Sequence, residues 1–108
     1  MNVHIRTIAR EDILRQYRWY LDESGPELAE RFLNAIEAAI ETLRRRPDIG
    51  APQPFQNPLL AGLPSWPVPG FTIIRVYYLR AAGSILVVRV LHGKRDIHSI
   101  LEGDQEGE

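Results

Sequence analysis

His92, Lys94, Arg95 and His98 place two imidazoles and two cations within seven residues. An imidazole can move a proton near neutral pH, and guanidinium or ammonium groups can stabilise charge on a transferring phosphoryl group, so these are residue types suited to phosphoryl chemistry. A plainer reading competes with it. His92 shares parity with Val88 and Val90 at the end of a strand, where its ring would hydrogen-bond to backbone or to Thr72 across the ladder. Asp96 is placed to cap a closing helical turn over residues 97–101. Arg75 and Arg89 form the second candidate group, because a hairpin looped at Ala81-Ala82-Gly83 sets them opposite one another. Like charges in that position weaken a ladder, so the pair suits an anion from a partner, a carboxylate or a phosphate. Alternatively their stems cover Tyr77 while their heads meet water or an acid near the first strand.

Other chemistries find little support. His4, His92 and His98 have no metal-ligand spacing and no cysteine accompanies them, so neither a metal site nor a cofactor is expected. Neither a glycine-rich phosphate loop nor a nucleophile elbow is present in the sequence.

The candidate groups need a scaffold, and hydropathy patterning supplies one. Residues 2–6 alternate as a half-buried strand, with Val3 and Ile5 on one face. From residue 8 to about residue 23, Ile13, Tyr17, Tyr20 and Leu21 recur at helical spacing, with Glu11 and Asp12 near the positive end of the helix dipole. Ser24-Gly25-Pro26-Glu27 then stops one helix and starts another, Ser24 and Glu27 matching a capping box and Pro26 suiting a first turn. Leu28, Phe32, Ala35, Ile36, Ala39, Ile40 and Leu43 form one continuous apolar stripe on the second helix, which must lie on a sheet. Arg44, Arg45 and Arg46 complement its negative end, and Pro47 and Gly50 stop it.

Six of the eight prolines fall between Asp48 and Gly70, the mark of an ordered loop, with Phe55 and Trp66 as apolar anchors. A short edge strand over residues 65–68 is limited by Pro67. Residues 71–80 and 84–92 make the hairpin. A three-residue loop pairs Ile74 with Val90, Val76 with Val88 and Tyr78 with Leu86 on an apolar face, and Ile73 with Leu91, Arg75 with Arg89 and Tyr77 with Val87 on the other. The architecture expected is α+β: a two-helix hairpin packed on one face of a small, mainly antiparallel sheet, in the order β-α-α-β-β-β, with a short C-terminal turn.

A chain of 108 residues, 44% hydrophobic and 25% charged, fits one domain, expected over residues 1–101. Four of the fourteen acids lie in residues 102–108, a stretch without apolar residues that is expected to be disordered. The remaining 101 residues carry 13 basic and 10 acidic groups, net +3, which allows an acidic partner but is too weak a field to demand nucleic acid. With no long apolar run, a cytoplasmic protein without membrane contact is expected.

The order of elements, with Arg46-Pro47-Asp48-Ile49-Gly50, Gly62-Leu63, Trp66-Pro67-Val68-Pro69-Gly70-Phe71 and Val90-Leu91-His92-Gly93-Lys94-Arg95-Asp96-Ile97, resembles the RelE/ParE toxin superfamily of bacterial type II toxin-antitoxin systems. Its ParE branch is the better likeness. The resemblance implies growth inhibition and plasmid maintenance through inhibition of DNA gyrase, by a protein-binding inhibitor more than an enzyme, neutralised by a cognate ParD-like antitoxin. RelE-like relatives instead cut messenger RNA on the ribosome with several basic residues and a C-terminal tyrosine. Arg95 matches one of those arginines here, but Ile74 stands where that pattern has its strand arginine and Leu101 where it has its tyrosine. Residues 51–72 contain no lysine or arginine. The alternative endoribonuclease would depend on His92, Lys94 and Arg95 alone, a thin set for phosphoryl transfer. One departure from the ParE pattern is Pro64, where the family often has an arginine. The partner-binding surface implied is Arg75, Tyr77, Arg89, Leu91, His92 and Arg95, apolar and cationic, suited to an amphipathic acidic segment.

Overall fold

The computed structural model describes residues 1–52 and 62–93, with backbone only at 51–52. Strand β1 (Asn2–Ile5) leads into helix α1 (Thr7–Ser24), and helix α2 (Pro26–Arg45) follows after Gly25 alone. Strands β2 (Ala51–Pro52), β3 (Pro64–Val68), β4 (Phe71–Ala81) and β5 (Ser84–His92) complete the order. They form one sheet in the sequence β1-β5-β4-β3-β2, antiparallel throughout except for the parallel pair β1 and β5. This is the α+β architecture expected, with one addition: β3 is covered on its outer side by the two residues of β2. Pro52 and Pro64 face one another in that outer pair, where a missing N–H costs least.

The stripe of α2 forms much of the core. Phe32, Ala39 and Leu43 have at most 1% of their surface exposed, alongside Ile36, and they pack on Ile74, Val76, Tyr78, Ile85, Val87 and Val90 of the sheet. At one end Tyr20 of α1, Phe32 of α2 and Phe71 of β4 stack around each other with ring centroids 5.1–5.5 Å apart, joining both helices to the sheet.

Between the helices, the structure corrects the capping box. Ser24 is the last residue of α1, Gly25 is the N-cap of α2 at φ +89°, and no side chain caps that end. A single glycine in a conformation closed to other residues turns the chain, which leaves no room for a separate cap and first turn. Nor do Glu11 and Asp12 complement the α1 dipole, because the first turn begins at Thr7 and holds no acid.

The hairpin register also differs from expectation. Ala81 pairs with Ser84, so the loop is the two residues Ala82-Gly83, with Gly83 at φ +74°. Tyr78 pairs with Val87, then a bulge makes Val88 the extra residue, and below it Tyr77 pairs with Arg89, Val76 with Val90, Arg75 with Leu91 and Ile74 with His92. Above the bulge the register is one residue off the expectation and the inward residues of β5 become Ile85 and Val87 in place of Leu86 and Val88. Below it the offset is two residues, an even number, so Ile74, Val76 and Val90 still face the core. Parity assigned the turn wrongly because it assumed an unbroken ladder.

After α2 the Arg46-Pro47-Asp48-Ile49-Gly50 stretch serves as a socket for Tyr78. The Tyr78 hydroxyl donates to the Pro47 carbonyl at 2.8 Å and accepts from the Gly50 N–H at 2.9 Å. Both bonds satisfy backbone groups of the turn that follows the helix.

Candidate partner-binding cluster

Arg75, Tyr77, Arg89 and Leu91 occupy alternate rungs of the two central strands, Arg75 beside Leu91 and Tyr77 beside Arg89, with the Val76–Val90 rung between them. The four are together, but the arginines lie diagonally and not opposite, so the like-charge repulsion argument does not apply. Neither do they form an open apolar face: Tyr77 and Leu91 have no exposed surface. Burial pushes the Tyr77 phenol up to about 12, opposed by the Arg75 charge, so at neutral pH it is a neutral hydroxyl.

Each arginine is held by a specific partner. Arg75 donates through Nε to the Ser65 hydroxyl at 2.8 Å and through Nη2 to the Ser65 carbonyl at 3.3 Å, tying β4 to β3. Arg89 forms a two-pronged pair with Asp12 of α1, Nε to Oδ2 at 2.8 Å and Nη2 to Oδ1 at 2.9 Å. The same carboxylate accepts the Val90 N–H at 3.0 Å and Arg15 Nη2 at 3.1 Å. Asp12 is wholly buried, whereas the Arg89 side chain keeps 19% exposure. The reason lies in strand lengths: β1 pairs with β5 only as far as Val87, and Asp12 accepts a β5 amide three residues further on. A carboxylate there satisfies an N–H that no strand reaches and is itself satisfied by guanidinium.

Asp12, expected from the sequence to complement the positive end of the α1 dipole, is instead the central polar group of the helix-sheet interface. Its signal was present in the sequence: Ala9, Asp12, Ile13 and Gln16 share one helical face, and Ala9, Asp12 and Gln16 are all buried. A charge on an inward stripe calls for a buried counter-charge, and the strand arginines were the available ones. Ser65, also buried, gave no comparable signal.

His92 lies half-buried at the end of β5 opposite Ile74. Lys94, Arg95 and His98, with the closing turn over 97–101 and the acidic residues 102–108, fall outside the described residues. Among the described residues no group of three or more His, Asp or Glu could hold a metal ion, and no helix is long and apolar enough to cross a membrane.

Comparison with known proteins bears on this arrangement. The solved chain described as the chromosomal ParDE TA system from P. aeruginosa superposes with a TM-score of 0.69 at 20% identity, covering 85% of this chain and 95% of that one. At that identity the likeness is one of fold. The search of curated proteins returned no match. The family model for the ParE toxin of the type II toxin-antitoxin system, parDE, matches residues 3–97, from within the first strand to beyond the last. With the two-helix hairpin and five-stranded sheet accounted for by that span, the chain belongs to the ParE toxin family of type II toxin-antitoxin systems.

Proposed function

We propose that this toxin arrests growth by binding DNA gyrase and blocking replication, and that a ParD-like antitoxin neutralises it. The observation that carries the reading against messenger RNA cleavage is the place of Ile74. Where the ribonuclease pattern needs a strand arginine, this chain has an aliphatic side chain with no exposed surface, packed in the core. A buried methyl group offers no charge to a phosphoryl transition state, and the neighbouring strand arginines are bound to Ser65 and Asp12. Binding requires no such convergence of charge. Inducing the toxin in cells without antitoxin is expected to trigger the DNA-damage response before protein synthesis falls. Codon-linked cuts in messenger RNA would instead favour the ribonuclease.

Arg75, Arg89 and His92 remain in the proposed partner surface, as does Arg95, which lies outside the described residues, whereas Tyr77 and Leu91, with no exposed surface, could act only by supporting the arginines beside them. Arg75 is the informative position, because removing Arg89 would strand the buried Asp12 carboxylate. Arg75→Ala is expected to weaken binding of an acidic antitoxin segment about tenfold at low salt, with a smaller loss at high salt. Isothermal titration at two ionic strengths measures it, and equal affinities of variant and parent at both would remove Arg75 from the surface.

A further inference from the structure

Strand β1 ends the sheet on its side, and among the described residues no strand pairs with its outer edge. A parallel ladder uses alternate residues of a strand: the Asn2 N–H donates to the Gly83 carbonyl at 3.0 Å and the Arg6 N–H to the Val87 carbonyl at 3.1 Å. The N–H and C=O of Val3 and Ile5 therefore point away from β5, four strong backbone groups on an open edge. Beyond the end of β1 the fold closes this side itself, since Asp12 accepts the Val90 N–H. β1 has no such cover. Asn2-Val3-His4-Ile5 also lacks the proline, lysine or bulge that usually blunts an edge.

The edge is complementary to itself. When a second copy runs antiparallel with His4 at the two-fold axis, Val3 meets Ile5 of the second copy and Ile5 meets Val3 of the second copy. Both are hydrogen-bonded pairs, so all four outward groups of each strand find partners. Side chains agree with that register. Val3 and Ile5, each half-buried and packed on the core, cover one another and extend the apolar layer across the axis. On the opposite face His4 meets its own copy and Asn2 meets Arg6 of the second copy, so no two guanidinium or carboxylate groups are opposed. Met1 falls opposite Thr7 of the second copy, whose next residue is Ile8; Met1 and Ile8 are 47% and 37% exposed in the single chain. Two exposed apolar side chains thereby come to the same end of the pairing.

We propose that β1 is a dimerisation edge, at which two copies join their five-stranded sheets into one continuous sheet centred on His4. A second copy suits this edge better than an acidic antitoxin segment does, because β1 holds no lysine or arginine, whereas Arg75 and Arg89 lie on β4 and β5, inward of the edge. Four residues a side make a small interface, so the pair is weak and protein concentration decides how much of it forms. The inference does not depend on which target the toxin acts on.

The chain has no cysteine, so single-cysteine variants report the register directly. His4→Cys sets two thiols at a non-hydrogen-bonded pair, with Cα atoms about 4.5 Å apart, and is expected to give a covalent dimer under oxidised glutathione. Asn2→Cys and Arg6→Cys should each crosslink at least about tenfold more slowly alone, since like positions lie about 13 Å apart, and should crosslink readily when mixed. In the parent chain, hydrogen exchange of the Val3 and Ile5 amides is expected to slow about tenfold between about 10 µM and about 1 mM protein. Equal exchange rates at both concentrations would overturn the proposal, as would His4→Cys crosslinking no faster than Asn2→Cys. Protection of Val3 and Ile5 that appears only with antitoxin added would also overturn it, giving the edge to the antitoxin.

Discussion

Replacing Asp12 by Ala is expected to cost about 3–5 kcal/mol, the range for breaking a buried ion pair from one side. The carboxylate is fully buried and accepts from Arg89, Arg15 and the Val90 amide, so its loss removes the acceptor shared by two guanidinium groups and a backbone N–H at the junction of α1 and β5. For a domain of this size such a loss lowers the melting temperature by more than about 12 °C. Three companion variants identify the cause. Asp12→Asn keeps the shape and one acceptor oxygen and should lose markedly less. Asp12→Leu with Arg89→Met removes both charges and should be more stable than Asp12→Leu alone, since no ion is left stranded. Calorimetry of the four variants and the parent decides the matter. A loss below about 1 kcal/mol in Asp12→Ala would mean that the pair behaves as a solvated surface bridge.

Gly50→Ala should be the most damaging glycine-to-alanine change among the described residues, at about 2–4 kcal/mol, since it both overpacks a buried contact and breaks hydrogen bonds. A Cβ at Gly50 would overlap the Tyr78 hydroxyl oxygen and lie 2.7 Å from its Cε1. Tyr78 cannot easily retreat, having no exposed surface and a hydroxyl held by Pro47 and Gly50. Adding Tyr78→Phe to Gly50→Ala removes the overlapping oxygen and should recover part of the loss, although Tyr78→Phe alone is destabilising by the missing bonds. Urea unfolding of the cycle measures this coupling. Additive effects would show that the turn gives way instead of the ring. Gly25, by contrast, has open space around a Cβ, and its need is for the backbone conformation.

These two sites also show what the sequence disclosed and what it did not. The α2 stripe was legible because one uninterrupted face is buried, and periodicity reports burial directly. The motif after α2 was legible as a pattern, but its reason was not: that Gly50 leaves space for a tyrosine 28 residues away is a tertiary fact. The bulge at Val88 was invisible for a different cause. Val87 and Val88 are chemically alike, so nothing in the β5 residues says which of them is skipped. Once the ladder is assumed regular, the turn length follows wrongly and Arg75 is placed against Arg89. Arg75, Tyr77, Arg89 and Leu91 are still neighbours because four residues on two adjacent strands stay close under a two-residue shift. The character of the cluster changed, since Tyr77 and Leu91 are enclosed and the arginines have partners.

Purified toxin mixed with DNA gyrase, supercoiled plasmid and ATP tests the central claim most directly. Binding to gyrase predicts inhibited supercoiling or trapped, cleaved plasmid in proportion to toxin, reversed by the cognate antitoxin, with messenger RNA on translating ribosomes left intact by the same preparation. Undisturbed gyrase together with cuts at the ribosomal A site would contradict it.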